Sequence, residues 1–333
     1  MNDDFRPAWW LRGPHAQTMF GPIVRRRARV RFRREAIETP DGDELLLDHL
    51  DAPVTDGRFR FLLMHGLEGS SYSVYIQGVL ALLASRGFAA TALNFRSCAR
   101  EPRRLGRMLP NRKPRFYHSG ETTDFDFVAR TLAARDAQTP LLAFGASLAG
   151  NVLLKWLGEH PGQKVIHAAA ALSVPYDLGA GSRFMESRMG LFYVGRFLAT
   201  LKDKVHDVVK RFPETAERID VAAVRRARTF REFDDAATGP LHGFTGADDY
   251  YTRSSSIHFL PHITTPTLCL NAEDDPFLPR EALQRARRAA SPAIDFRTTK
   301  HGGHTGFIAG PWPWRPDFWA ERVAVDWLVA HGG

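Results

Sequence analysis

Four short stretches carry residue types that could act together on a carbonyl group. "GASLAGN" (145–151) sets one serine, Ser147, between an apolar run and the start of a helical pattern. "NAEDDPFLP" (271–279) places Asp274 and Asp275 behind a second apolar run, and "HGGHTGF" (301–307) holds His301 and His304 among glycines. A serine hydroxyl is a poor nucleophile at neutral pH and needs a histidine base, which a carboxylate must orient. In serine hydrolases built on α/β sheets those groups follow one another as serine, acid, histidine, each in a loop after a strand. Ser147, Asp275 and His304 stand in that order and in such places. The oxyanion needs two backbone N–H donors, one from the residue after the serine. Leu148 would give that one. The loop "MHGLEGSS" (64–71) would give the other, with His65-Gly66 turning the chain so that the Leu67 amide faces the serine.

The same turn has rivals, which fail on their chemistry. A phosphate loop needs a lysine and then a Ser/Thr after its last glycine, but Asn151 and Val152 follow Gly150. Gly145 and Ser147 do not make the G-x-G of a dinucleotide site. His301 and His304 lack a convincing third ligand for metal hydrolysis, so no metal is expected. A nucleophile elbow, G-x-S-x-G, departs only at Ala149. Smallness is what that position needs, because strand and helix approach closely there, and alanine adds one methyl group. Taken alone, His301, His304 and the two aspartates also read as a glycine-rich surface loop and a helix cap before Pro276. Their order together favours the hydrolase.

The elements that must position these groups can be read from the pattern. "REAIETPDGDELLLDHL" is two strands joined at Asp41-Gly42. "RFRFLLMHG", "FAATALNF", "PLLAFGA", "HAAAALSVP", "PTLCLNA" and "AIDFRTT" are further strands. Helices are expected over 74–85, ending at Gly87, over "SGETTDFDFVARTLAAR", over 148–159 and over "DFWAERVAVDWLVAH". Alternating strands and helices imply an α/β fold, a mostly parallel central sheet with helices on both faces. Residues 1–333 read as a single domain. Residues 176–262 break the rhythm: helical, charged and without a buried strand, they are expected to form a helical cap or lid over the carboxyl edge of the sheet.

Composition narrows the setting. The net charge is +8 and only seven of the 45 basic residues are lysines. Residues 24–34, "VRRRARVRFRR", hold seven arginines. The alternation of Val30 and Phe32 with Arg31 and Arg33 reads as an edge strand with arginines facing out, and the run also suits contact with an anionic membrane surface. No nucleic-acid motif accompanies it, so no nucleic-acid partner is expected. Cys98 and Cys269 are too few and too far apart for a disulfide framework or a thiolate metal site. With no apolar signal region and no run approaching about 18 apolar residues, the expectation is a soluble cytoplasmic protein.

Beyond these four stretches, "GPHAQT", "NFRSCARE", "YHSGETTD" and "SVPYDL" complete a set that resembles the YheT-like branch of the α/β-hydrolases, from about residue 9 to the end. In that branch G-x-S-x-A replaces G-x-S-x-G. The resemblance implies an α/β-hydrolase fold and a serine carboxylic-ester hydrolase acting on short-chain esters or acylglycerols without a cofactor. It carries the nucleophile to Ser147, the base to His304 and the acid to Asp275. Asp275 is preferred to Asp274 because D-P-F-L-P is similar to the run that follows the family's acid. The rivals are an acyltransferase using the same serine and a non-catalytic binding protein on the same fold. His15, Gln17, Asn94, Arg96, His118 and Glu121, in the less understood motifs, would line the pocket or knit its loops, with structural hydrogen bonding the default.

Overall fold

A computed structural model describes residues 5–25, 30–51, 58–102 and 104–333. Helix α1 (Pro14–Val24) precedes an antiparallel pair, β1 (Arg33–Glu38) and β2 (Glu44–Leu50). Then come β3 (Arg60–Met64), α2 (Val74–Ser85), β4 (Ala89–Asn94) and a small ribbon of β5 (Arg100–Glu101) and β6 (Arg104–Met108). The helix α3 (Thr123–Arg135) leads to β7 (Leu141–Ala146), α4 (Leu148–Glu159) and β8 (Ile166–Leu172). Six helices follow: α5 (Leu178–Phe184), α6 (Arg188–Arg211), α7 (Val221–Arg226), α8 (Phe230–Phe233), α9 (Gly239–His242) and α10 (Ala247–Ser254). The chain closes with β9 (Thr267–Ala272), α11 (Arg280–Ala289), β10 (Ile294–Thr299), a ribbon of β11 (Ile308–Trp312) and β12 (Arg315–Phe318), and α12 (Trp319–His331). The main sheet runs β1-β2-β4-β3-β7-β8-β9-β10, parallel from β4 to β10.

Period-two alternation within the mostly apolar central strands β3, β7, β8 and β9 covers both faces, as a buried parallel sheet requires. In β7, Leu141 and Ala143 join α3, α4 and α11 in one core, while Leu142, Phe144 and Ala146 join α2 and α12 in the other. This is the α/β-hydrolase architecture. The helices expected over 74–85 and 148–159 have those bounds, and Gly87 takes the left-handed φ of +75° that ends α2.

The arginine run departs from expectation. Residues 26–29 lie outside the described residues. Arg31 and Arg33 are exposed and Val30 and Phe32 half-buried, but regular strand begins only at Arg33. Three of the described arginines of the run have acidic partners. Arg25 is ion-paired to buried Glu321, Arg34 lies 2.7 Å from Asp48 and Arg33 3.2 Å from Asp51.

Between β8 and β9 the described chain forms helices joined by short turns and no strand, with a core of its own in which Tyr193, Val194, Leu198 and Val205 of α6 meet Val224, Phe233 and Leu241. Helix α6 is amphipathic, and Ser187 caps it by accepting from the Gly190 amide at 3.1 Å.

Candidate active site

Strand β7 and helix α4 meet at Ser147, whose φ is +55°. A non-glycine residue there is strained, and the surroundings must hold it. The Ser147 amide donates to Leu172 O of β8 at 2.8 Å. A Cβ at Gly145 would lie 2.6 Å from the Ala149 carbonyl oxygen, so the strand can turn this tightly only with glycine two residues before the serine. After the serine, a Cβ at Gly150 would come within 2.7 Å of Val174, whereas Ala149 has room for its methyl in the core.

His304 Nε2 is 2.9 Å from Ser147 Oγ, and His304 Nδ1 is 2.8 Å from Asp275 Oδ2. Asp275 is 3% exposed, and its second oxygen accepts the Phe277 amide at 2.9 Å. Asp274 turns the other way: it accepts the Gly303 amide at 2.9 Å and meets the exposed His301 at 3.2 Å. The tandem acids thus divide the work, one on the buried histidine and one on the backbone of its loop. The Phe277 ring packs on His304 with centroids 4.3 Å apart.

The "GPHAQT" motif clasps the histidine loop from α1. Thr18 Oγ1 accepts the His304 amide at 2.9 Å, and Gln17 accepts from Ile308 N at 2.6 Å while donating to Ile308 O at 3.1 Å. The fit is close: a Cβ at Gly303 would stand 2.4 Å from Pro14 O, and one at Gly306 2.4 Å from Gln17 O.

The loop after β3 lies against the serine, since a Cβ at Gly66 would be 3.0 Å from Ser147 Cβ. The Gly66 amide donates to Tyr75 OH at 2.6 Å, the Glu68 amide to Tyr117 OH at 2.6 Å, and the Gly69 amide to Gly66 O at 3.0 Å. Among the described residues the Leu67 amide between them has no acceptor, nor does that of Leu148. Both residues line the cavity with Ser147 and His304. Buried His65 pins the loop: Nδ1 is 2.8 Å from Gly66 O, and Nε2 accepts the Phe95 amide at 3.2 Å. Burial holds its pKa down to about 4, so the ring is neutral with its proton on Nδ1. Glu68, at φ +56°, accepts Tyr117 OH at 2.8 Å and Lys204 Nζ of α6 at 2.5 Å, and Lys204 also lies 3.1 Å from Cys98 Sγ.

These groups open into a cavity of about 690 Å³ between the sheet edge and the helical stretch, lined by Leu, Met, Phe and Tyr side chains among Ser, Thr, Arg and acidic ones. Of the motif residues with open roles, His118 lines the cavity, its ring 4.6 Å from that of His242. The others knit loops. Asn94 bonds Ser71 N and Asp48, Arg96 bonds Asp41, Asp43 and Asp124, Glu121 bonds Arg115 and Thr123, and His15 lies 3.0 Å from Tyr193 OH. Tyr75, Tyr117 and Lys204 were not legible as site residues. Tyr117 sits inside the quoted "YHSGETTD", but Lys204 is a charged residue beside the apolar stripe of α6, and a lysine there reads as facing solvent.

A serine within reach of an imidazole that a buried carboxylate orients, beside unengaged amides, can attack a carbonyl and hold the charge that develops. Three comparisons bear on what that chemistry serves. Residues 60–311 match the family model described as alpha/beta hydrolase fold. The chain is 33% identical over 329 residues to YheT of Escherichia coli (strain K12), which carries an esterase name, covering 98% of this chain and 94% of that one. It is 31% identical over 341 residues to Phospholipase ABHD3 of Mus musculus, covering 100% and 80%. Among solved structures, the Pyrococcus furiosus esterase Pf2001 superposes with a TM-score of 0.57 at 17% identity, over 91% of this chain and 92% of that one.

Proposed function

The chain belongs to the YheT-like branch of the α/β-hydrolase family, and on that premise we propose that it is a serine carboxylic-ester hydrolase of the short-chain esterase or acylglycerol lipase type. The observation that carries the proposal is the unbroken line from Ser147 Oγ through His304 to Asp275, at 2.9 and 2.8 Å, on the floor of the cavity. Ser147 attacks the ester carbonyl while His304 Nε2 takes its proton and Asp275 keeps the resulting imidazolium oriented. The Leu67 and Leu148 amides receive the oxyanion. His304 then protonates the leaving alcohol, and the acyl group stays on Ser147. A water molecule that gives its proton to the same histidine releases the acid. Helices α5–α10 act as the cap of this site, their apolar side chains receiving the acyl chain.

The test is a series of chromogenic esters of rising chain length and a monoacylglycerol, with intact protein and Ser147→Ala, together with fluorophosphonate labelling. Labelling of the intact protein alone, with hydrolysis lost in the variant, is the expected result. Full activity in Ser147→Ala would sink the mechanism. Product that appears mainly as a new ester when an alcohol is added would make the protein an acyltransferase. Failure of the intact protein either to label or to turn over would make it a binding protein on this fold.

A further inference from the structure

Scattered exposed apolar side chains are ordinary on protein surfaces; their concentration is informative. Here the nine large apolar residues that stand exposed among the described ones all fall in three stretches, 9–24, 184–192 and 312–314. Trp9, Ile23 and Val24 belong to the first, Met189 and Phe192 to the second, and Trp314, at 74% exposure, to the third. Each stretch lines the cavity through its immediate neighbours: Met19 and Pro22, Met185 and Tyr193, Ile308 and Phe318. Direct contacts join the three. Trp9 Nε1 donates to Pro311 O at 3.0 Å, the Arg25 guanidinium lies 3.6 Å above the Phe318 ring, and His15 meets Tyr193 OH at 3.0 Å.

Charge in the same stretches is one-sided. Among described side chains in 5–25, 181–197 and 308–318, Arg6, Arg12, Arg183, Arg196 and Arg315 are exposed against Glu186 and the part-exposed Asp317, which pairs with Arg322. Indole rings and arginines beside apolar side chains are what the boundary between lipid headgroups and acyl chains accommodates, and cations there are drawn to anionic lipid. A protein seated on this rim would cover the cavity that the rim flanks. A bilayer would instead deliver its own molecules to it.

We propose that the rim formed by 9–24, 184–192 and 312–314 docks the protein onto the surface of an anionic phospholipid bilayer, from which ester-bearing lipids enter the cavity. The docking rests on the rim alone; the fate of the lipid rests on the hydrolase reading. Binding is therefore measured on the full chain carrying Ser147→Ala, by sedimentation with vesicles of phosphatidylcholine alone and of phosphatidylcholine with phosphatidylglycerol. The protein should bind the anionic vesicles, with blue-shifted tryptophan emission, and bind less as salt rises. Adding W312A and W314A together should weaken binding about tenfold or more, the loss expected when exposed indoles no longer enter the headgroup layer. F192S should weaken it less, and near-UV circular dichroism checks that the variants stay folded. Three outcomes overturn the proposal: no binding to anionic vesicles, binding indifferent to W312A/W314A, or a protein dimer that those substitutions dissolve. Absence of ester turnover by the intact protein would defeat the hydrolase reading and leave the docking result standing.

Discussion

The carboxyl edge of the sheet and the helical stretch between β8 and β9 face each other across one cavity, yet they are fixed by different means. At the sheet edge the backbone decides. Ser147 and Thr305 hold φ values of +55° and +53°, and Gly145, Gly303 and Gly306 stand where a single Cβ would collide with neighbouring carbonyl oxygens. The helices are fastened by side chains instead. Lys204 reaches Glu68 at 2.5 Å, Arg211 donates to Asn111 O at 2.7 Å, and Asn151 of α4 donates to Ser254 O of α10 at 2.7 Å. Chemistry is placed where the chain has least freedom. The helical wall opposite the serine is tied on by side-chain contacts.

Substitutions at the sheet edge should therefore act on rate, and those in the helices on binding and stability. The largest effect is expected for Ser147→Ala, a fall in kcat on the order of 10⁶, read as loss of ester hydrolysis in a folded protein. Asp275→Asn should lower kcat by roughly 10⁴, as loss of the histidine's orienting carboxylate does elsewhere, whereas Asp274→Asn should cost about tenfold or less. A reversed ranking would move the acid to Asp274. Gly145→Ala keeps every reactive group but pushes the elbow off the Ala149 carbonyl, so a roughly 100-fold loss is expected with near-native circular dichroism.

Lys204→Met probes the boundary between the two regions. It leaves Glu68 buried without its cation, which should cost about 3–5 kcal/mol in chemical denaturation. If that pair also holds the Leu67 amide in place, kcat falls about tenfold with KM little changed, and Lys204→Arg restores part of it. An unaltered kcat would confine the helices to stability. The smallest effect concerns pH. His65 is held to about 4 in the fold but titrates near 6.5 when unfolded, so between those values the unfolded chain binds more protons. Stability contributed by the neutral ring is present above about pH 6.5 and is lost as the pH falls toward 4. Thermal midpoints measured across that window should fall less steeply in His65→Asn than in the intact protein.

What was legible in the sequence follows the same division. The strands, the elbow and the helices over 74–85 and 148–159 could be read because local pattern and glycine placement specify them. The structure brings Ser147, Asp275 and His304 into one hydrogen-bonded line. The preference for Asp275 over Asp274 required a family pattern, since two adjacent carboxylates in a turn look alike until the backbone points them apart. Helix α1 was missed because Pro22 interrupts a short segment with little apolar periodicity. The two ribbons were missed because five or fewer residues per strand carry little alternation. Lys204 and Tyr117 could not be found from spacing, because their partners lie far along the chain and only the fold brings them near.

The clasp of α1 on the histidine loop has a consequence for the making of the protein. The bond from His304 N to Thr18 spans 286 residues. Helix α1 is synthesised before any strand of the sheet, and the loop it holds only after the last of them. Contacts so distant in sequence form late. Asp274 and Asp275 can hold the loop from the sheet side, but α1 closes on it only when the last segments exist. On the proposed mechanism a half-made chain has no base for Ser147, and activity arrives with those last segments rather than growing by degrees during translation.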